Sequence, residues 1–325
     1  MEHVRKVLEL LYDRPAGFFS TDELARAAAC SRGQVAEALQ QLRQTGHAME
    51  ISPTEGVRLI RPVRLDPHLI ERRLGTSRIG RSVICFEEVA STNDVAAEAG
   101  WQESADGLVV LAEWQRSGRG RQGRQWLSPA GENVLMSVLL EASPRPLPHE
   151  AITIAAGLAV AEGIETACGP MGCELKWPND VLIEHGKVAG VLVELRRREE
   201  RRFVIVGIGI NVGASPPIGE VDARATHLAA HFGDMVERIE VIRGVLRKLE
   251  KWVSVVDGGE LDSLHDAWVS RCGMINQRVT VISDGVRHIG RALDVNPLVG
   301  LVLSCDDGRC VHIPAERASL VVSPA

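Results

Sequence analysis

From about residue 82, the sequence alternates apolar segments with segments of helical periodicity. The apolar segments, which predict buried strands, are SVICFEEV, LVVLAEW, VLMSVLLEA, KVAGVLVEL and RFVIVGIGINVG. The helical segments are STNDVAAEAG, AITIAAGLAVAEGIETA and VIRGVLRKLEKWVSVV. Interleaved strands and helices pack as a sheet covered by helices. Residues 82–271 therefore predict a mixed α/β domain that is large enough to be a catalytic domain.

A smaller helical unit precedes this domain. VRKVLELLYD, STDELARAAAC and SRGQVAEALQQLRQTG predict three helices, and AMEISPTEGVRLI predicts a hairpin. This order is typical of a winged helix-turn-helix, which we expect over residues 1–62, followed by a linker and short helix over residues 63–81. The third helix would enter the major groove, and its candidate DNA contacts are Ser31, Arg32 and Gln34.

The charge of this unit allows a second interpretation. Lys and Arg do not outnumber Asp and Glu in residues 1–60, and the whole chain has a net charge of −6. Phosphate contacts usually require clustered cations. The unit is therefore either a DNA-binding domain or a protein-interaction module that regulates the rest of the chain.

The last part of the chain, residues 272–325, contains only β segments. They are RVTVISD, HIGRALDVN, GLVLSCD, CVHIPA and ASLVV. Short strands at this spacing predict a small β-barrel.

Two further observations concern the cellular compartment. The sequence has no uninterrupted apolar run of about 18 residues, so we expect no membrane span. Its seven cysteines show no disulfide framework and no pair of zinc-binding motifs. This pattern favours reduced thiols and a cytoplasmic protein.

The segment SGRGRQGRQW, residues 117–126, contains three arginines and three glycines. Its glycines spell G-x-G-x-x-G, but a dinucleotide-binding turn needs a helix directly after them, and Pro129 and Gly131 break up the segment in that position. Guanidinium groups bind phosphate and carboxylate oxygens, and Trp126 offers a face on which a purine can stack. The segment predicts a loop that encloses an anionic, purine-bearing molecule. Without that anion, repulsion among the arginines would leave the loop mobile.

Three other segments carry polar residues next to strands or helices. In KWPNDVLIEHGKVAGVLVEL, Asn179 suits a nucleobase edge, Asp180 is a hard oxygen ligand for Mg²⁺, and Lys187 can reach a carboxylate or a phosphate. GIGIN, residues 207–211, ends an apolar strand with an amide, and STND, residues 91–94, begins a helix. Taken singly, each segment also fits an ordinary turn or helix cap.

Five motifs, STN, GRGRQGRQW, KWPND, GKVAGVLVE and GIGIN, occur in the order and approximate spacing of the biotin protein ligases. With the N-terminal helical unit and the C-terminal β segments, nearly the whole chain resembles the bifunctional bacterial class, biotin–[acetyl-CoA-carboxylase] ligase and biotin operon repressor. The resemblance implies an α+β, mixed α/β protein with a class II synthetase-like central sheet, an SH3-like C-terminal barrel and a cytoplasmic homodimer.

The resemblance also implies a reaction and its partners. Biotin and ATP, with Mg²⁺, would form biotinyl-5′-AMP, and biotin would then pass to a lysine of a biotin carboxyl carrier protein. Operator DNA would be a second partner. Two alternatives stay open: a ligase whose winged helix no longer binds DNA, and a lipoate or octanoate ligase. The complete GRGRQGRQW and KWPND motifs disfavour the second.

Matched position by position, the resemblance assigns roles to individual residues. The catalytic residues would be Arg119, Arg121 and Lys187. The residues that would bind biotin are Ser91, Thr92, Asn93, Gln115, Gly118, Arg119, Gly120, Arg121, Lys187, Gly190 and Gly207. The residues that would bind ATP or the adenylate are Arg121, Arg124, Trp126, Lys176, Asn179 and Asn211, and Asp180 would bind Mg²⁺. The chain departs from the family at HIPAERASL, where a Gly-Glu-Val-Ser-Leu-like segment is usual. This departure leaves the role of the barrel open.

Overall fold

The computed structural model describes residues 2–321, except residues 16, 62, 103–104, 142–146, 199–200, 217–223 and 234–235. The N-terminal elements follow the predicted order. They are α1 (Glu2–Asp13), α2 (Thr21–Ala27), α3 (Arg32–Gln44), β1 (Met49–Ser52), β2 (Gly56–Leu59) and the short helix α4 (Pro67–Glu71). Ser20 and Glu23 form the predicted capping box at the start of α2. The expected boundary at residue 62 lies outside the described residues.

The middle of the chain forms a mixed sheet of seven strands with helices packed against it. In chain order its elements are β3 (Val83–Val89), α5 (Thr92–Gln102), β4 (Val109–Gln115), β5 (Val134–Glu141), α6 (His149–Cys168), β6 (Glu174–Lys176), β7 (Asp180–Ile183), β8 (Gly186–Arg198), β9 (Arg201–Ile210), α7 (Ala229–Phe232), α8 (Arg238–Gly258) and α9 (Leu261–Val269). The strand order is β3-β4-β5-β9-β8-β7-β6; β3 is parallel to β4, and the other neighbouring pairs are antiparallel.

Helices cover the two faces of this sheet unequally. Because alternate residues of a strand face opposite sides, Val109 and Leu111 on β4 join the larger core with α6 and α8, whereas Val110 joins a smaller core with α5. On β9, Phe203 and Ile205 also join the core with α5. The short helix α5 therefore covers only part of its face of the sheet.

The helix α6 is predominantly apolar, with a mean hydropathy of 1.4 over its most apolar window. Among the described residues it alone has the length and composition of a membrane span, but 72% of that window is buried inside the protein. It approaches α8 closely at a glycine, since a Cβ added to Gly163 would lie 2.6 Å from Val245 Cα. We therefore interpret α6 as a core helix.

The C-terminal strands form an antiparallel sheet of five strands, in the order β13-β12-β11-β10-β14. They are β10 (Arg278–Ser283), β11 (Val286–Asn296), β12 (Gly300–Cys305), β13 (Cys310–Ile313) and β14 (Ala318–Val321). A 3-10 turn at Ala315–Arg317 joins β13 to β14. The pairing confirms the predicted strands, with β13 and β14 at the two edges.

The helix α9, which the sequence pattern did not predict, contacts this sheet through a histidine. His265 Nε2 lies 2.6 Å from Asp294 Oδ1 on β11. Burial lowers the pKa of His265, but hydrogen bonds with Asp294 and Asp266 outweigh burial and raise the pKa above its ordinary value. The protonated imidazole therefore stabilises the contact between α9 and β11.

A buried ion pair joins three stretches of the chain. Arg238, the first residue of α8, donates from Nη1 to Glu113 Oε2 at 2.5 Å and from Nη2 to Val63 O at 3.3 Å. The backbone N–H of Leu65 donates to Glu113 Oε1 at 2.8 Å. The Arg238 and Glu113 side chains are only 2% and 8% exposed. Since a buried charge is costly without its partner, this pair fixes the linker, β4 and α8 relative to one another.

Candidate active site

A cavity of about 880 Å³ opens beside α5. The predicted site residues that line it are Ser91, Thr92, Asn93, Gln115, Arg119, Gly120, Arg121, Arg124, Trp126, Lys176, Asn179, Asp180, Lys187, Gly190, Gly207 and Asn211. Gly118 instead lines a smaller cavity of about 460 Å³, and residues 119–122 and 124–125 line both cavities. The fold therefore brings the five sequence motifs together around one space.

One wall of the cavity is a cluster of polar side chains at the start of α5. Thr92 donates its backbone N–H and its hydroxyl to Gln115 Oε1, at 2.7 and 3.1 Å. Asn93 donates from Nδ2 to Glu194 Oε2 at 2.6 Å, and its Oδ1 accepts from Ser137 Oγ at 2.5 Å. Thr92, Asn93 and Ser137 are buried. These bonds hold each side chain in one orientation, as recognition of a polar ligand requires.

Glycines let two of the lining side chains lie flat against the sheet. A Cβ added to Gly207 would lie 2.5 Å from Asn93 Oδ1, and one added to Gly209 would lie 2.3 Å from Trp126 Cε2. A Cβ on Gly190, in the neighbouring strand, would lie 3.0 Å from Trp126 Cζ3. The family resemblance predicts that Gly190 and Gly207 leave room for the ligand's rings. In the structure Trp126 and Asn93 occupy that room and line the cavity themselves.

A lysine and a carboxylate face each other across two strands. Lys187 Nζ lies 2.6 Å from Asp180 Oδ1 and 5.6 Å from the centre of the Trp126 ring. The residue predicted to bind Mg²⁺ is thus ion-paired. In the described part of the chain, no group of three or more His, Cys, Asp or Glu side chains is placed to hold a metal. Asp180 would supply a carboxylate oxygen, the type of ligand that Mg²⁺ prefers, if a magnesium ion bound here.

Several of the described lining residues carry a buried polar atom without a hydrogen-bond partner, and Trp126 and Asn211 are among them. Trp126 Nε1 and Asn211 Oδ1 are buried and have no hydrogen-bond partner among the described residues. The other side-chain atom of Asn211, Nδ2, donates to Thr226 O at 3.0 Å, so its amide group is fixed. An unpaired buried polar atom costs about 1–3 kcal/mol. Both atoms therefore fit the polar edge of a bound ligand.

The arginine loop, residues 116–126, closes on itself as a hairpin. The N–H of Gly120 donates to Arg124 O at 2.8 Å, and the N–H of Trp126 donates to Gly118 O at 2.9 Å. A 3-10 turn at Arg121–Gly123 forms its tip. The hairpin shape of the loop is therefore set by its own backbone hydrogen bonds.

Groups elsewhere in the chain contact the loop's arginines. Arg119 Nη2 lies 2.7 Å from Asp94 Oδ1 and 3.4 Å from Glu194 Oε2. Arg121 donates to two backbone carbonyls of residues 315–318. Burial lowers the pKa of Arg121 to about 10, so its guanidinium stays charged at neutral pH. These contacts oppose the repulsion that we expected among the arginines, and the mobility of the loop stays a prediction.

Comparison with known proteins agrees with this geometry. Residues 85–211 match the Biotin/lipoate A/B protein ligase family. The chain is 35% identical over 251 residues to the bifunctional ligase/repressor BirA of Bacillus subtilis (strain 168), which covers 76% of this chain and 77% of that protein. It is 37% identical over 196 residues to the biotin–[acetyl-CoA-carboxylase] ligase of Mycobacterium tuberculosis, which covers 58% of this chain and 71% of that protein.

A solved structure extends the match to three dimensions. The biotin protein ligase of Aquifex aeolicus, in complex with biotin and ATP, superposes with a TM-score of 0.63 at 28% identity, covering 75% of this chain and 100% of that one. The chain belongs to the biotin protein ligases. The mixed central sheet of this ligase is therefore the sheet of its family.

Two polar residues of this biotin protein ligase contact the site but were not predicted. Ser137, which is fully buried on β5, bonds Asn93 and lies 2.7 Å from Thr92 Oγ1, and Glu194 on β8 bonds Asn93 and Arg119. Ser137 interrupts the apolar run of β5, and Glu194 lies between Val193 and Leu195 on β8. Buried polar groups are nearly always hydrogen-bonded. A polar residue within an apolar run was therefore the sequence signal that could have revealed Ser137 and Glu194.

The C-terminal sheet also contributes to the cavity of the ligase. Ile282 on β10 and the segment 318–320 at the start of β14 line the cavity together with the central motifs. From the sequence we expected these residues in a separate barrel. No pattern in the sequence indicated that they would line the cavity.

The predicted DNA contacts do not line the cavity. Ser31 Oγ accepts from the N–H of Gln34 at 3.2 Å, and Gln34 Oε1 accepts from the N–H of Ser31 at 2.9 Å, a capping box at the start of α3. Arg32 donates to Asp22 Oδ2 at 2.6 Å. To contact a DNA phosphate, Arg32 would have to break its hydrogen bond with Asp22.

Proposed function

We propose that the protein activates biotin with ATP as biotinyl-5′-AMP and transfers biotin to a lysine of a biotin carboxyl carrier protein. One observation carries the proposal: a buried polar cluster, five cationic side chains, and an aromatic ring beside unpaired polar atoms line the same cavity. These three environments correspond to the ureido ring, to the joined carboxyl and phosphate, and to the adenine of the adenylate.

The polar cluster favours biotin over lipoate or octanoate. A ureido group has two N–H donors and a carbonyl acceptor, which Thr92, Asn93 and Gln115 can match, with Ser91 beside them. A dithiolane ring or an alkyl chain offers no such partners and would form no hydrogen bonds with this cluster. Calorimetry with biotin, lipoate and octanoate tests this choice. Tighter binding of lipoate than of biotin would contradict it.

The cationic residues suit the first chemical step. A carboxylate oxygen of biotin attacks the α-phosphorus of ATP, the bond to the bridging oxygen breaks, and pyrophosphate leaves. Because both reactants are anions, Lys187, Arg119 and Arg121 would lower the barrier by offsetting their repulsion. In this step Lys187 would exchange its contact with Asp180 for the ligand's oxygens.

The second step transfers the acyl group to an amine. An uncharged lysine side chain of the acceptor attacks the acyl carbon, AMP leaves, and the amine releases a proton to water. The mixed anhydride also reacts with water, so the cavity must exclude solvent until the acceptor arrives. The arginine loop, in which Gly118 packs closely against Trp126 and Gly120 bonds Arg124, would supply that cover.

The nucleotide end would use the remaining lining residues. Trp126 would stack on adenine, and Asn211 Oδ1 would accept from the adenine amino group. Lys176, Asn179 and Arg124 line the same cavity and would contact ribose or phosphate. Asp180 would hold Mg²⁺, and the ion would supply positive charge that offsets the negative charge of the phosphates.

A mass measurement tests the ligase function. Incubation with a carboxyl carrier domain, biotin, ATP and Mg²⁺ should add one biotin to the carrier. Omission of ATP, or replacement of the carrier's acceptor lysine by arginine, should abolish the addition. An unmodified carrier in the complete mixture would refute the proposal.

We also propose that residues 1–62 form a winged helix that binds operator DNA, joined by residues 63–81 to the ligase domain at 82–271 and an SH3-like barrel at 272–325. The order of three helices and a hairpin supports this, as does the name of the Bacillus subtilis relative, a bifunctional ligase/repressor. A homodimer stays a prediction. The alternative is a ligase without DNA binding. A gel shift with the chain's own upstream DNA, with and without biotin and ATP, separates the two.

A further inference from the structure

The C-terminal segment holds the tip of the arginine loop. Arg121 Nη2 donates to the backbone oxygens of Ala315 and Ala318, the latter at 2.9 Å. The Ser319 hydroxyl donates to Gln122 Oε1. Consecutive residues at the tip are thus bound to one short stretch of the C-terminal sheet.

A buried carboxylate fixes that stretch from the opposite side. Glu150, in the first turn of α6, accepts from the backbone N–H of Ala315 at 2.7 Å. The Glu150 residue is 8% exposed and lines neither cavity. The same residue, Ala315, therefore donates its N–H to Glu150 and presents its carbonyl to Arg121. Movement of the Ala315 N–H away from Glu150 would carry with it the carbonyls that Arg121 uses.

We infer that Glu150 is a positioning residue for the arginine loop: through Ala315 it holds the carbonyls that keep Arg121 over the cavity, and it thereby sets how long the activated ligand stays enclosed. The contact also gives the C-terminal sheet a role at the site, although its HIPAERASL segment departs from the usual family pattern. The effect on the activated ligand rests on the proposed ligase function, whereas the effect on the loop does not.

Three variants isolate the hydrogen bond. Glu150→Leu removes the acceptor, whereas Glu150→Gln retains a side-chain oxygen that can accept from Ala315. Ala315→Pro removes the donor instead, at the first position of a 3-10 turn, where proline is tolerated, and after Pro314, whose ψ of 139° suits a following proline. Glu316→Gln is the matched control, because this side chain lies on the same turn, is 55% exposed and pairs with Arg317.

The first readout needs no ligand. The full-length protein is treated briefly with trypsin, and mass spectrometry follows cleavage after Arg121 and Arg124. Loss of a hydrogen bond to a charged group should raise cleavage about tenfold in Glu150→Leu and in Ala315→Pro, and leave Glu150→Gln and Glu316→Gln within about twofold of wild type. Thermal unfolding of each variant shows that the comparison is made on folded protein.

The second readout is escape of the adenylate, measured as biotin added to lysines of a bystander protein. Glu150→Leu should raise it about tenfold, in step with cleavage. The inference would be overturned if trypsin cleaved both Glu150→Leu and Ala315→Pro at the wild-type rate. It would also be overturned if trypsin cleaved Glu150→Gln as fast as Glu150→Leu. If the wild-type protein makes no adenylate, the proposed function fails, and the trypsin result still decides the role of Glu150.

Discussion

Two glycines on β9 allow the proposed biotin side and the proposed ATP side of the cavity to be perturbed separately. Gly207 and Gly209 are two residues apart and so face the same side of the sheet. An alanine Cβ at 207 would lie 2.5 Å from Asn93 Oδ1, and one at 209 would lie 2.3 Å from Trp126 Cε2. Neither distance is compatible with van der Waals contact. We therefore expect Gly207→Ala to displace Asn93 and Gly209→Ala to displace Trp126.

The size of each effect depends on the contacts that are lost. A displaced Asn93 loses its bond from Ser137 and its bond to the Glu194 carboxylate, together about 3 kcal/mol. Since 1.4 kcal/mol is about tenfold, we expect Gly207→Ala to weaken biotin binding by up to about 100-fold. An aromatic ring stacked on a base contributes about 1–3 kcal/mol, so Gly209→Ala should weaken ATP binding by about 5- to 150-fold.

Isothermal titration calorimetry, with biotin and a non-hydrolysable ATP analogue in separate experiments, measures both effects. Each variant should lose affinity mainly for its own ligand. Gly157→Ala is the control, because the nearest atom to its added Cβ lies at 3.7 Å, an ordinary contact, and the site should be unchanged. An equal loss of affinity for both ligands in both variants would show that the glycines support the sheet as a whole. It would refute the separation of the two sides.

Four other predictions concern single side chains. Arg121→Gly should release the adenylate and biotinylate bystander lysines; retained acceptor specificity would argue against the loop as a cover. Lys187→Ala should slow pyrophosphate release far more than it weakens carrier binding, and an unchanged release rate would refute its role. Arg238→Met leaves Glu113 charged and buried, so urea denaturation should show a loss of about 3–5 kcal/mol in unfolding free energy. Because the pKa of His265 is raised in the folded protein, its contribution to stability is present below its ordinary pKa and is lost as pH rises through the folded value. His265→Gln should therefore lower the melting temperature more at acidic than at alkaline pH, and a pH-independent difference would count against this.

The sequence predicted those parts of the fold that repeat a local pattern. The long apolar segment of α6 and the apolar runs of β5 and β9 were each sufficient to identify the element. Elements that are buried on both faces have few polar positions. The capping box at Ser20 and Glu23 likewise predicted the start of α2, because it depends only on residues three positions apart. The five motifs likewise predicted the residues that meet at the cavity.

Long-range contacts were not accessible from the sequence. Ser137 and Glu194 each interrupt an apolar strand, and only the pairing of β5 and β8 with β9 brings both to Asn93. The contact between Arg121 and the 315–318 carbonyls involves backbone atoms, which carry no sequence signature at all. Such contacts depend on how separate elements pack, and periodicity does not encode that packing.

The buried pair of Glu113 and Arg238 also bears on how the chain acquires its structure during synthesis. Glu113 is translated long before Arg238, and its carboxylate has its guanidinium partner only once α8 has left the ribosome. Because an unpaired carboxylate disfavours burial, we expect the Glu113 end of β4 to stay near water during synthesis. This end of the strand would become buried only after α8 has emerged from the ribosome.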